Sequence, residues 1–357
     1  MRSGSILTVN AGSTSLKLRL VDPAGASEGV PTLDDLPAGV VAVGHRIVHG
    51  GPRLTAPALL DGDTAAQLEE AAALAPLHDR PAIDAIAAAR RALPDVPHVL
   101  VPDTGFHATV PAEASTYAIP ARWREAWGIR RYGFHGISVA WAAERAAAML
   151  GRGDLRLVVC HLGGGASVTA VRDGRSVDTT MGFGPLEGLV MATRSGTVDP
   201  DVPLHLVLRH GMDPAEVERA LNEDSGLRAL AGTGDMREVE AAAARGDGRA
   251  SLALAVHDHR LAAAVAAMTA ALGGLDALAF TGGVGEGSAR TRAEAARRLG
   301  FLGVAVDPDA GDGAGDRDVS PPGARVRTLV IHSREDLVIA RGVRAVLGGD
   351  DPEGGPA

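Results

Sequence analysis

One cysteine, Cys160, in 357 residues excludes an internal disulfide framework and suits a reducing compartment. Aromatic residues are scarce at 3%, and with abundant alanine this reflects the coding composition more than a function. No apolar run reaches the ~20 residues that a membrane-spanning helix needs, and no signal peptide precedes the first predicted strand, so a cytoplasmic location is expected. A formal net charge of -9 leaves no surplus of Lys and Arg to coat a nucleic acid or an anionic bilayer, and neither is expected as a partner. An anionic substrate must therefore be met by locally placed cations.

What is present is ordinary in bulk and distinctive in pattern. Hydrophobic residues make up 46% and charged residues 22%, a globular balance in a chain long enough for two cores. Two stretches about 150 residues apart have one design: ILTVNAGSTSLKLRLVD from Ile6 and VVCHLGGGASVTAVRDG from Val158. Each reads as an apolar strand, a tight Gly/Ser turn and a second strand. In the first, Gly12 permits close backbone approach to an anion, while Ser13 and Ser15 add hydroxyl donors. Lys17 shares a strand face with Ser15 and can neutralise a phosphate. In the second, Gly163, Gly164 and Gly165 present bare backbone. Either turn alone fits an ordinary β-hairpin. The matched pair points to a duplicated phosphate-holding half.

Predicted elements support an α/β architecture. Strands are expected at Ile6 to Val9, Leu16 to Val21, Val40 to Ile47, His98 to Val101, Leu155 to Cys160 and Ser167 to Val171. Helices are expected at Thr64 to Leu74, Pro81 to Leu93, Pro214 to Asn222, Arg237 to Arg245, Ser251 to Leu272, Ala289 to Leu299 and Glu335 to Leu347. Asp213 before Pro214 is an N-cap followed by Pro at the first helical position. The mixture of hairpins and strand-helix alternation implies a mixed sheet flanked by helices, repeated once. The expected halves are 1–102 with 337–357, a discontinuous domain closed by the C-terminal helix, and 103–336.

The segments VNAGSTSLK, VGHRIVHGG, APLH, PDTGFHATVP, RRYGFHG, CHLGGGAS, DTTMGFGPLEGLVMATRSGTVDP, DMRE, FTGGVGEGS and REDLVIAR run in order along nearly the whole chain, and their pattern resembles that of the acetate kinases. The resemblance implies duplicated actin-like, ribonuclease H-like domains with a cleft between them and a homodimer. It also implies Mg²⁺-dependent (Mn²⁺ being an alternative) transfer of a phosphoryl group from ATP to acetate, reversible from acetyl phosphate and ADP.

That chemistry sets a physical problem, because an anionic carboxylate must attack an anionic phosphoryl group. The acid is already ionised at neutral pH, so no general base is needed. Catalysis must come from positioning and from positive charge on the transferring phosphoryl. By resemblance, Arg46 and Arg194 clamp the acyl carboxylate and the moving phosphoryl, and His135 and His161 hydrogen-bond the phosphoryl and the nucleotide phosphates. Asp103 acts electrostatically, and Asn10 and Glu335 belong to the metal-phosphate centre. His45, His49 and His107 have supporting roles. His257 and His259 lie two apart on a predicted helix and cannot share a face for metal ligation.

Val48, Leu77, Phe134 and Pro185 match the family's small apolar pocket for the acyl methyl group. Such a pocket separates one methylene by only ~1 to 3 kcal/mol, so propionate is a second candidate substrate. The nucleotide is expected at Asp235, Met236 and Arg237 of DMRE and at Gly283, Val284, Gly285 and Glu286 of TGGVGEGS. Four departures stand out: Gly164 where the family has an amide side chain, Asp79 and Arg80 as an added charge pair near the acyl site, Gly287 in place of Asn, and Ser333 to Asp336 in place of Thr-Asn-Glu-Glu. Two other readings follow, a propionate- or butyrate-type acyl kinase and a nucleotide-binding regulator with weakened turnover.

Overall fold

The computed structural model describes residues 4–11, 16–73, 76–310 and 313–348, and side chains 76–78 are not among those described. The chain forms two six-stranded mixed sheets. The first contains β1 (Ser5–Ala11), β2 (Leu16–Val21), β3 (Ser27–Val30), β4 (Val40–Ile47), β5 (Ala58–Leu59) and β6 (His98–Pro102). The second contains β7 (Arg156–Leu162), β8 (Ala166–Arg172), β9 (Arg175–Thr179), β10 (Ala277–Thr281), β11 (Arg317–Asp318) and β12 (Arg327–Val330).

Strand order makes the duplication explicit. The first sheet runs β3-β2-β1-β4-β6-β5, and the second, read from its other edge, runs β9-β8-β7-β10-β12-β11. In each, three antiparallel strands are followed by two parallel strands and closed by an antiparallel edge strand. The two Gly-rich turns join equivalent strands, β1 to β2 and β7 to β8. Gly12, Ser13 and Ser15 of the first turn lie outside the described residues.

One compact unit comprises 1–108, 118–141 and 334–357, and the other comprises 109–117 and 142–333. Residues 118–141 thus pack with the first sheet, whereas the sequence pattern ends the first half at 102.

In the first unit the helix Glu335–Gly348 lies on the sheet, its Ile339, Ala340 and Val343 packed among Ile6, Val21, Ala42, Val99, Val101 and Ile137. Gly44 on β4 permits that approach, since a Cβ there would stand 2.6 Å from both Ile339 Cγ2 and Val343 Cγ2. This close fit fixes where the helix begins and therefore where Glu335 stands. In the second unit the long helix Gly248–Leu272, N-capped by Asp247, covers β7 and β8. Asp213 caps the helix Pro214–Glu223 by accepting from Ala215 N, with Pro214 at its first turn. No helix of the described residues is long and apolar enough to cross a membrane.

Candidate active site

In the first unit, adjacent parallel strands carry the polar residues to one place. Asn10 near the end of β1 is in register with Arg46 near the end of β4, and Asp103 directly follows β6. Arg46 Nη2 donates to Asp103 Oδ2 at 2.8 Å, and Arg46 Nη1 donates to Asn10 Oδ1 at 3.2 Å. Asn10 Nδ2 in turn donates to Glu335 Oε2 at 2.5 Å. The Asp103 carboxylate also accepts from the backbone N–H groups of His135, at 2.9 Å, and Ile137, at 3.2 Å. His135 has φ 60, a left-handed conformation that non-glycine residues adopt at a cost, and its N–H bond to Asp103 helps hold it there. Arg46, Asp103, His135, Asn10 and Glu335 are therefore one connected group.

The electrostatics follow from burial. The Asp103 side chain is fully buried, which opposes ionisation, but the Arg46 charge and the two amides hold its carboxyl below the usual range. Burial likewise opposes the Arg46 charge, and the carboxylates of Asp103 and Glu335 outweigh that and raise its pKa. Arg46 Nε is buried with no hydrogen-bond partner among the described residues. Asp103 is thus ionised with both oxygens engaged, a positioning arrangement and not that of a proton acceptor.

Around this group, Val48 and Phe134 are buried, and the His49 ring meets Phe134 and Tyr132 edge-on. His107 Nε2 bonds Phe134 O at 2.9 Å. His45 stacks on His98 with Nε2 and Nδ1 2.9 Å apart, and burial lowers its pKa to about 3, so it is a neutral core group. Lys17, the only lysine of the chain, is exposed on β2 directly opposite Asn10. Leu77 falls in the helix Pro76–Ala92, and its side chain lies outside the described residues.

Asp79 corrects one expectation. Arg80 is exposed and lies 3.8 Å from Glu69, so it forms no charge pair with its neighbour. Asp79 is fully buried, and its carboxylate accepts from His49 N, at 2.9 Å, and from Val48 N. The sequence pattern did not reveal this clamp.

In the second unit, Gly163, Met236 and Val284 line one apolar pocket together with Met191, Leu227 and His257. His161 on β7 is in register with Thr281, which opens the short helix Gly282–Gly287. Gly282 has φ 79, and a Cβ there would meet Leu162 O at 2.7 Å, so only glycine fits this turn. Gly163 N–H is used within its own turn, donating to Gly165 O at 2.9 Å, while a Cβ at Gly164 would enter open space. Gly283 has comparable room, and Gly285 is buried.

Three expected nucleotide residues are engaged locally. Glu286 accepts from Gly282 N and Ser333 N, both at 3.0 Å, and lies 2.6 Å from His332 Nδ1, so it braces its helix. Arg237 and Asp235 pair with each other at 2.6 Å, and Asp235 caps the helix Met236–Ala244. Arg194 Nη1 donates to Pro185 O at 2.7 Å. His257, missed as a pocket residue, has Nδ1 3.1 Å from Asp258 Oδ1, and Arg290 holds that carboxylate through both oxygens. Its spacing of three and four residues from Leu254 and Leu261, on one face of a long helix, was the available signal. No group of three or more His, Cys, Asp or Glu side chains could hold a metal ion among the described residues.

The duplicated six-stranded mixed sheets flanked by helices are those of the actin-like ATPase fold. The acetokinase family model matches residues 30–341. A protein named acetate kinase from Clavibacter michiganensis is 48% identical over 327 residues, covering 90% of this chain and 82% of its own length. One from Deinococcus deserti is 50% identical over 314 residues, covering 86% and 78%. Among solved structures, a propionate kinase from Francisella tularensis superposes with a TM-score of 0.88 at 35% identity, covering 95% of this chain and 98% of its own. Porphyromonas gingivalis acetate kinase gives 0.85 at 31%, covering 96% and 100%. The chain belongs to the acetokinase family.

Proposed function

We propose that the protein is an acetate kinase that transfers the γ-phosphoryl group of ATP to acetate, reversibly and by direct in-line displacement. The observation that carries this reading is the part-buried Arg46, fixed by Asp103 and Asn10, with a buried Nε that has no acceptor among the described residues. A fixed cation with a spare donor suits an anionic oxygen and adds no base that the ionised acid does not need. We assign Arg46, Arg194 and His135 to stabilising the charge of the transferring phosphoryl, with Asp103 holding Arg46 and the His135 backbone. Val48, Phe134, Leu77 and Pro185 are assigned to the acyl methyl group.

The nucleotide is assigned to the apolar pocket of the second unit, with Met236 and Val284 against the base. The Gly163 to Gly165 turn, His161, Gly283 and Lys17 are assigned to the phosphates. Mg²⁺ suits one or two carboxylates completed by phosphate oxygens and water. Glu335 fits that role, since only its Oε2 is engaged among the described residues, by Asn10; the ion would neutralise phosphate charge there. A homodimer and a cytoplasmic location complete the reading.

Hydroxylamine trapping tests it. Purified protein with Mg-ATP should give acyl hydroxamate from acetate, with kcat/KM compared across acetate, propionate and butyrate. A higher value for propionate would shift the assignment to a propionate kinase, and no product from any acid would refute the kinase reading.

A further inference from the structure

Asp79 is a buried carboxyl group that the proposed mechanism does not use. It reaches from the helix Pro76–Ala92 to the chain immediately after β4, where Oδ1 accepts from the His49 amide at 2.9 Å and the Val48 amide also faces the carboxyl. Its second oxygen, Oδ2, is buried with no hydrogen-bond partner among the described residues. A bare anionic oxygen in such a place is costly, whereas a protonated one is tolerated. Burial accordingly pushes the Asp79 carboxyl up to about 7, against the pull of the two amides and of the Arg46 charge.

The surroundings give this proton a consequence. Arg46 lies two residues before Val48, and its charge is already faced by the carboxylates of Asp103 and Glu335. Among the described residues, Arg46 is the cation that acts on Asp79, and the neighbouring His49 ring accepts at Nδ1 from Gly51 N. A third ionised carboxyl would leave this region more negative just where an anionic acid must bind.

We propose that Asp79 is a positioning residue of the acyl site that must carry a proton on Oδ2, so that the Val48–His49 segment is held without adding negative charge beside Arg46. This rests on the acetate-kinase reading, and it makes the affinity for the carboxylate substrate fall as Asp79 ionises. The group is neutral below about pH 7 and anionic above it. The KM for acetate should therefore rise with pH through that value, with kcat changing less.

The test compares wild type with Asp79→Asn, which keeps an acceptor oxygen for the amides and cannot ionise. The KM and kcat for acetate, and acetate binding by calorimetry, are measured from about pH 6 to about pH 8.5, a span that brackets ordinary histidine and the raised carboxyl. The expected result is a several-fold rise in KM and Kd for wild type and a flat profile for Asp79→Asn. Equal rises in both proteins, or no rise in wild type, would overturn the proposal. Should Asp79→Asn fail to fold, Asp79→Ser supplies a smaller neutral acceptor for the same comparison. Absence of acyl phosphate from wild type with every acid would instead refute the kinase reading, and calorimetry would still report the effect of Asp79 on carboxylate affinity.

Discussion

Arg46 and Asp103 are 57 residues apart in sequence and joined at 2.8 Å, with the Asp103 side chain fully buried. The same carboxylate holds the His135 backbone, so one anion orients a cation and a strained turn together. Asp103→Asn should remove the charge while keeping the shape. Breaking a buried pair from one side costs about 3–5 kcal/mol, and turnover should fall by about 10²-fold or more. The pH dependence has a definite sign. Because the folded pKa of Asp103 is depressed, its contribution is complete above the ordinary aspartate value and is lost as pH falls through the folded value. Thermal denaturation should show wild type losing stability in acid more steeply than the variant.

Gly44→Val tests whether close packing sets the position of Glu335. A Cβ at 44 already meets Ile339 and Val343 at 2.6 Å, so the larger side chain must displace the C-terminal helix. Overpacking of this kind costs about 1–3 kcal/mol. The melting temperature should fall, and the Mg²⁺ concentration giving half-maximal activity should rise as Glu335 moves from Asn10.

Gly164→Asn should be sterically neutral, since its Cβ would enter open space and its backbone is not left-handed. An added amide beside the phosphates should lower the nucleotide KM and leave the acetate KM unchanged. An unchanged nucleotide KM would mean that the backbone of the turn suffices.

Asp79→Asn should alter stability in the opposite pH direction from Asp103. A raised folded pKa means that stability is complete below the ordinary aspartate value and declines as pH rises to about 7. The neutral variant should be more stable to unfolding than wild type at pH 8, by at most about 4 kcal/mol at ~1.4 kcal/mol for each unit between 3.8 and about 7. At pH 5 the two should lie closer together.

Where a local rule acts alone, the sequence was enough to read the element. Val40–Ile47 and Ala289–Leu299 match their predicted bounds, and the Asp213–Pro214 cap is made as expected. The helix Gly136–Leu150 went unread, although its alanine-rich run carried the signal. Ala277–Thr281, buried at every residue, is an apolar run too short for periodicity to separate strand from buried helix. Within the site, the motifs identified Asn10, Arg46, Asp103, His135 and Glu335, but nothing local shows that Asn10 bridges Arg46 and Glu335, because that contact spans 325 residues. Asp79 beside Arg80 suggested a charge pair near the acyl site, and only the tertiary fold separates the buried acid from the exposed base.

The central claim is that fixed positive charge, without proton transfer, drives the phosphoryl step. Single-turnover and steady-state kinetics of Arg46→Ala, with folding checked by circular dichroism, test it most directly. The account predicts a fall in kcat of about 10²-fold or more, because the interaction matters mainly in the transition state. A folded Arg46→Ala protein with wild-type kcat would contradict it.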